Sequence, residues 1–320
     1  MIRTLLLLLL CVPLGCQRCT ETTTRADHDP GASGTGASAG DGDTITVEVE
    51  DTNGLSGLAR GEDGTLWAVP ERAPVVIAVE PGEHRTRSLP LSGVPEGLDL
   101  ESIAWLGQWD GATRLAVGTE GLCENNLHDI LLVTVTADQA EVSARVSIAP
   151  AAWSAACHEG HGIEGLCSVG GPGPAGLALV AAVEHAETAA DGRRYAPVVR
   201  FDVAGRTTTP YRVALTSDTG KLSAVDCRAG ADGDIEVLAI ERHFEVSRVI
   251  RFRLPSAAPA TEELISSELV LDVFPFTKAG QRNFEGLAWA EDGQLGLLVD
   301  NQYGTISGPN EIVQVRLPSE

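Results

Sequence analysis

Two sets of polar side chains recur along this chain, each beside a short apolar segment. The first set lies in Leu55-Ser-Gly-Leu-Ala, Leu100-Glu-Ser-Ile-Ala-Trp, Ile163-Glu-Gly-Leu-Cys, Leu222-Ser-Ala-Val-Asp and Phe284-Glu-Gly-Leu-Ala-Trp, and comprises Ser56, Glu101, Glu164, Ser223 and Glu285. The second set ends apolar runs at Glu71, Glu120, Glu184, Glu241 and Asp300. Carboxylates about 4 Å apart repel by ~4 kcal/mol at an effective dielectric of about 20. If the fold gathers them, they need protons, arginine partners or a cation. A hard divalent ion such as calcium prefers a site rich in oxygens. Glu71, Glu101, Glu120, Glu164, Glu184, Glu241, Glu285 and Asp300 are therefore candidate metal ligands, and Ca2+ is the expected cofactor. Arg72 and Arg242 directly follow Glu71 and Glu241. They are candidate anion binders or the structural partners of those acids; the other reading of the acids is that they cap turn amides or hold only water.

The spacing says which elements must position these groups. First marks are 45, 63, 59 and 62 residues apart, and each second mark follows its first by 15 to 20 residues. Between them lie turns rich in Gly and Asp, and after them a third alternating run: Val75 to Glu80, Ile130 to Thr136, Val198 to Val203, Val249 to Leu254 and Ile312 to Leu317. β-Branched and apolar residues in such short runs predict strands. Repeats of this length built from three or four strands are the pattern of propeller blades. The expected fold is all-β: a five-bladed β-propeller over residues 44–320. The last copy ends after its third strand, while Thr44 to Glu50 alternates without a partner, so the N-terminal strand is expected to complete the last blade. Innermost strands border the axis, which would pool the acids at one mouth.

Ahead of the repeats, Arg3 precedes the apolar run Leu5 to Leu10, which continues toward Gly15. This is expected to be a signal peptide, residues 1–15, too short to span a bilayer. Leu14-Gly15-Cys16 resembles the lipobox of bacterial lipoproteins, which implies lipidation at Cys16, with Pro13 where that family usually has Leu. The other reading is an ordinary secretory peptide cut nearby. Thr20 to Asp43 has no apolar periodicity, so residues 16–43 read as a lipid-anchored flexible linker. The expected location is the bacterial cell envelope, with membrane contact through the anchor only.

A net charge of −22 argues against nucleic acid, whose binding rests on Lys and Arg displacing counterions. A small anionic substrate remains compatible with the two arginines. Four cysteines follow the linker, Cys123, Cys157, Cys167 and Cys227, in a compartment that allows disulfides. Three pairings are possible, and Cys123 with Cys157 is preferred because both flank loops between neighbouring repeats. The segment from Cys157 through His158, Glu159 and His161 to Glu164 could supply zinc ligands, or be a loop with solvated histidines. His185, after Glu184, reads as structural.

The Ser, Glu, Glu, Ser, Glu order of the first marks resembles the SdiA-regulated family of bacterial five-bladed propellers. Asn283-Phe-Glu-Gly-Leu-Ala-Trp, together with Asp300-Asn301, resembles the phytase-like esterase family. The second resemblance implies calcium-assisted phosphoester hydrolysis, with Arg72 and Arg242 neutralising phosphoryl oxygens. The first implies a propeller without an assured reaction, that is, a noncatalytic ligand- or partner-binding module. Beta-propeller phytases gather Lys and Tyr beside their calcium ions, whereas this chain has three Tyr and, as Lys, only Lys221 and Lys278.

Overall fold

A computed structural model describes residues 44–47, 54–81, 85–121, 128–153, 161–171, 173, 175–260, 262–277, 283–290, 292–302 and 309–318. The expected leader, Cys16 and the linker, and also Cys123, Cys157, His158, Glu159 and Lys278, lie outside these residues.

The fold is all-β and propeller-like. A first meander comprises β2 (Leu55–Arg60), β3 (Leu66–Pro70), β4 (Val75–Glu80) and β5 (Arg85–Ser92), and a second comprises β6 (Asp99–Trp109), β7 (Ala112–Glu120), β8 (His128–Val135) and β9 (Ala140–Ile148). A short parallel contact of β5 with β9, at Leu91–Ala140 and Ser92–Glu141, joins them into one eight-stranded sheet. The third sheet runs β10 (Ile163–Val169), β11 (Ala178–Val183), β13 (Arg194–Asp202), β14 (Thr207–Ala214) and β18 (Leu264–Ile265), with the two-residue β12 (Glu187–Thr188) also on β13. The fourth runs β15 (Lys221–Ala229), β16 (Ile235–His243), β17 (Val246–Leu254) and β19 (Ser267–Asp272). In the last, β20 (Asn283–Trp289), β21 (Gln294–Asp300) and β22 (Asn310–Arg316) are joined by β1 (Thr44–Val47), which pairs antiparallel with β22.

Burial explains the residue patterns. β3 and β11 are buried throughout, and both read as continuous apolar runs because both of their faces are covered. β9 and β14, farther out, mix buried and exposed positions. Five apolar clusters fill the spaces between sequence-neighbouring meanders. Leu100, Leu115 and Val76 meet between the first and second, Ile163, Leu179 and Ile130 between the second and third, and Leu222, Val180 and Val237 between the third and fourth. Phe284, Leu297 and Ile240 meet between the fourth and fifth, and Leu58, Ile77 and Leu298 between the fifth and first. Emptying one such position by Leu→Ala costs about 2–5 kcal/mol.

The first strand of each meander packs against the next: β2 against β6, β6 against β10, β10 against β15, β15 against β20, and β20 against β2. That close approach requires small residues after the first marks. A Cβ on Gly57 would lie 2.7 Å from the Ile103 amide nitrogen, and its φ of +64° is one that glycine tolerates. On Gly286 a Cβ would lie 2.7 Å from the Cβ of Leu58. Serine hydroxyls tie the same strands: Ser56 Oγ donates to the Glu101 carbonyl at 2.5 Å and Ser223 Oγ to the Phe284 carbonyl at 2.9 Å. Of the three cysteine pairings, the disulfide Cys167–Cys227 is present, linking β10 to β15. The preferred Cys123–Cys157 bridge lies outside the described residues.

Candidate functional site

In each first hairpin the register slips by one residue at or just after the first mark: between Ser56 and Leu58, Leu100 and Ser102, Ile163 and Gly165, Leu222 and Ala224, and Phe284 and Gly286. The residue passed over is Gly57, Glu101, Glu164, Ser223 or Glu285, so in four of the five it is the polar first mark. A bulge leaves one residue out of the ladder and re-aims its side chain. Antiparallel pairing then places the start of each first strand beside the end of the second, where the second set of acids stands. Thus Asp99 faces Glu120, Lys221 faces Arg242 and Asn283 faces Asp300 across their hairpins.

One side of this mouth is acidic. Oxygens of Asp99, Glu101 and Glu120 all lie within 4.8 Å of one another. Burial, then Glu71, Glu120, Glu285 and Asp99, hold the Glu101 pKa well above the ordinary carboxylate range. Burial and Asp99 raise Glu120, against a backbone hydrogen bond from Gly162. Arg72, two-thirds exposed, has its Nε 3.9 Å from Asp99 Oδ2, and Lys221 acts on Glu120. Three hard oxygen donors, close-set and resisting ionisation, fit a cation of the calcium type: an ion would relieve the repulsion that now favours protonation.

The other side carries the cations. Arg242 grips Glu285 through Nε, 3.0 Å from Oε2, and through its second nitrogen on Oε1. Burial alone would lower the Arg242 pKa, but Glu285 and Glu164 outweigh it, and the guanidinium is held above its usual value. Lys221 Nζ pairs with Glu184. Its pKa is lowered by burial and by the neighbouring Arg242. His161 Nδ1 lies 2.9 Å from Glu184 Oε2. Glu164 is pushed well up by burial, Glu101 and Glu285, with Arg242 opposing. Asp300 is raised to about 7, chiefly by burial, although it accepts a 2.7 Å hydrogen bond from the Gln302 amide.

The candidate acids therefore have different fates. Glu101 and Glu120 join the triad, and Glu71 and Glu164 act on Glu101 or are acted on by it. Glu184 and Glu285 are ion-paired. Glu241 stands apart: it is fully buried, and its carboxylate accepts from the Thr216 amide at 3.0 Å, the Thr216 hydroxyl at 2.5 Å, the Ser217 amide at 2.9 Å and the Ser217 hydroxyl. It caps a turn. Arg242, which follows Glu241 in sequence, pairs with Glu285, 43 residues away. His185 is buried, with Nε2 3.7 Å from Glu187 Oε1. Sequence reasoning missed Asp99, Lys221 and Asn283. Each stands two residues before a first mark; pairing Glu120 and Asp300 with the starts of their hairpins would have found Asp99 and Asn283, and pairing Arg242 likewise would have found Lys221.

Among solved structures, PQQ-bound aldose sugar dehydrogenase from Streptomyces coelicolor is 13% identical, covering 87% of this chain and 98% of its own, at a TM-score of 0.46. A thermostable family-43 glycoside hydrolase is 10% identical, covering 86% and 93%, at 0.49. The calcium-binding protein regucalcin from Agrobacterium tumefaciens is 13% identical, covering 78% and 68%, at 0.37. All three scores fall below 0.5, too low to bear on the chemistry of this chain. No curated protein sequence matches it. The family model described as phytase-like, esterase-like activity of phytase, matches residues 41–303, most of the chain and all of both polar sets. The chain therefore belongs to the phytase-like family.

Proposed function

We propose that this chain is a calcium-dependent phosphoesterase built as a five-bladed propeller, closed by its N-terminal strand and held at the bacterial cell envelope by a lipid on Cys16. The cyclic contact order of the five first strands and the pairing of β1 with β22 support the architecture. The leader and Leu14-Gly15-Cys16 motif support the anchor. The activity rests on one observation: an acidic triad, Asp99, Glu101 and Glu120, at the same mouth as the cations Arg242 and Lys221.

Calcium held by the triad would supply a Lewis acid to a phosphoryl oxygen and favour deprotonation of an attacking water. Arg242, oriented by Glu285, presents a planar guanidinium suited to phosphoryl oxygens, and Lys221 adds a point charge beside it. Asp300, titrating at about 7, can give a proton to a departing alkoxide and recover one near neutral pH. Hydrolysis of a generic aryl phosphate, measured with calcium and with a chelator, tests this reading. Calcium-dependent turnover lost in Glu101→Gln supports it, and turnover that is absent or equal in both conditions removes it.

A second reading has its own observation. Arg242 and Lys221 are already ion-paired with Glu285 and Glu184, as expected if the ring is structural and the protein a noncatalytic binding module. Calcium would then raise the melting temperature without any turnover.

A further inference from the structure

The opposite end of the strands, where the first hairpins turn, carries polar and aromatic groups that the acidic mouth does not use. β2 is six residues long, which sets the two ends about 17 Å apart at ~3.3 Å per residue. Two cavities open at this end. One, of about 1040 Å³, lies among the far ends of the first strands and is lined by Trp105, Trp289 and Arg228. The other, of about 880 Å³, lies toward the first and second meanders and is lined by Gln108, Thr113 and Gln314. Arg60 and Gln294 line both, so one groove runs from the strand ends toward the rim. Each of the two cavities is near the upper end of the roughly 300–1,000 Å³ of small-molecule sites, so the groove has room for a short chain of rings.

The groove wall is held in place by its own contacts. Arg228 lies over the Trp289 ring, 3.7 Å from its centroid, and donates to the Trp289 carbonyl at 3.3 Å. Asp226 accepts from the Trp289 amide at 2.6 Å. Trp105 is partly exposed and stacks on the buried Trp67 with centroids 6.4 Å apart. Beside these rings the lining includes the side-chain amides of Gln108, Gln294 and Gln314 and the hydroxyl of Thr113, groups that donate and accept with equal ease, among arginines and acids. Four of the five acids lining the two cavities are held: Glu80 is ion-paired with Arg85 and Arg87, Asp63 accepts from the Thr65 amide at 3.0 Å, Asp226 from the Trp289 amide, and Asp292 lies 3.4 Å from Arg316. In a chain of net charge −22, a groove that mixes acids already held with arginines, side-chain amides and indoles is a poor site for a metal or a polyanion. It suits rings with an apolar face and a rim of hydroxyls.

We propose that this groove is a second binding site, separate from the acidic mouth, for a neutral saccharide chain of two or three rings that packs on Trp105 and hydrogen-bonds Gln294, Gln108 and Arg60. It does not depend on the phosphoesterase reading. The test titrates the full chain with maltotriose, cellotriose and chitotriose, read by tryptophan fluorescence and calorimetry, with inorganic phosphate and calcium as contrasts. The expected result is saturable one-to-one binding of at least one trisaccharide, unchanged by chelator and by Glu101→Gln. Arg60→Ala combined with Gln294→Ala should weaken it about tenfold, the loss of two ordinary polar contacts. Neither residue is buried, so the variant should keep its melting temperature, which the same samples check. Absence of saturation by all three sugars, unaltered affinity in the double variant, or displacement by phosphate would overturn the proposal.

Discussion

The second and fourth meanders have the same hairpin and the same bulge but put opposite chemistry on them. Asp99, Glu101 and Glu120 of the second occupy the positions of Lys221, Ser223 and Arg242 in the fourth, where the acid Glu241 stands one residue earlier, opposite Leu222. In the second, the three oxygens crowd together and burial drives the pKa values of Glu101 and Glu120 up. In the fourth, Ser223 ties β15 to β20, Lys221 neutralises Glu184, and Glu241 is consumed by the turn at Thr216 and Ser217. The disulfide Cys167–Cys227 and the Asp226 bond to Trp289 hold the same strand at its other end. One repeat thus serves two purposes. Where the neighbouring loop supplies four donors, as at Glu241, the acid holds the fold together, and where it supplies few, as at Glu120 with Gly162, the acids stay crowded and resist ionisation.

That contrast breaks first if the fourth meander does not carry structure. Replacing Cys167 and Cys227 together by Ser opens a cross-link spanning 60 residues and should cost about 4 kcal/mol by loop entropy, read by denaturant unfolding under oxidising and reducing conditions. Glu241→Ala strands two amides and two hydroxyls and should cost about 3 kcal/mol, while leaving calcium binding intact by calorimetry. In the second meander the order should reverse. Calcium at a hundred times its dissociation constant should stabilise the protein by about 2.7 kcal/mol, and Glu101→Gln should remove that gain while leaving the calcium-free melting temperature equal or higher.

The smallest effect is a pH profile. A carboxyl whose folded pKa lies above its unfolded one contributes stability that is complete below the unfolded pKa and is lost as pH rises through the folded value. For Asp300 that window runs from 3.8 to about 7, and the raised Glu101, Glu120 and Glu164 act in the same direction. Calcium-free protein should therefore melt higher at pH 5 than at pH 8, and calcium should flatten the slope. A profile that rises with pH would mean that these acids are neutralised already.

The repeat, the strand class and the positions of both polar sets were legible in the residues, because alternation and continuous apolar runs report directly on which strand faces are covered. The small residues after the first marks were visible as a pattern, but their cause, contact between neighbouring first strands at Gly57 and Gly286, was not. The eight acids read alike in the sequence, and the capping role of Glu241 was not legible there, since Thr216 and Ser217 lie 25 and 24 residues away and nothing in the periodicity marks them as donors. The pairing of Arg242 with Glu285 escaped for the same reason, adjacency in sequence having pointed to Glu241.

By itself the sequence determined what is local and periodic: short strands, the recurrence of the acids, and the excess of negative charge. Tertiary structure alone decided which acid has a partner, which pair of cations shares a hairpin, and which end of the strands carries the indoles and side-chain amides. The division follows from range. Strand periodicity is set by residues two apart, whereas the state of a buried charge is set by whatever groups lie within a few ångströms, and here those come from other repeats.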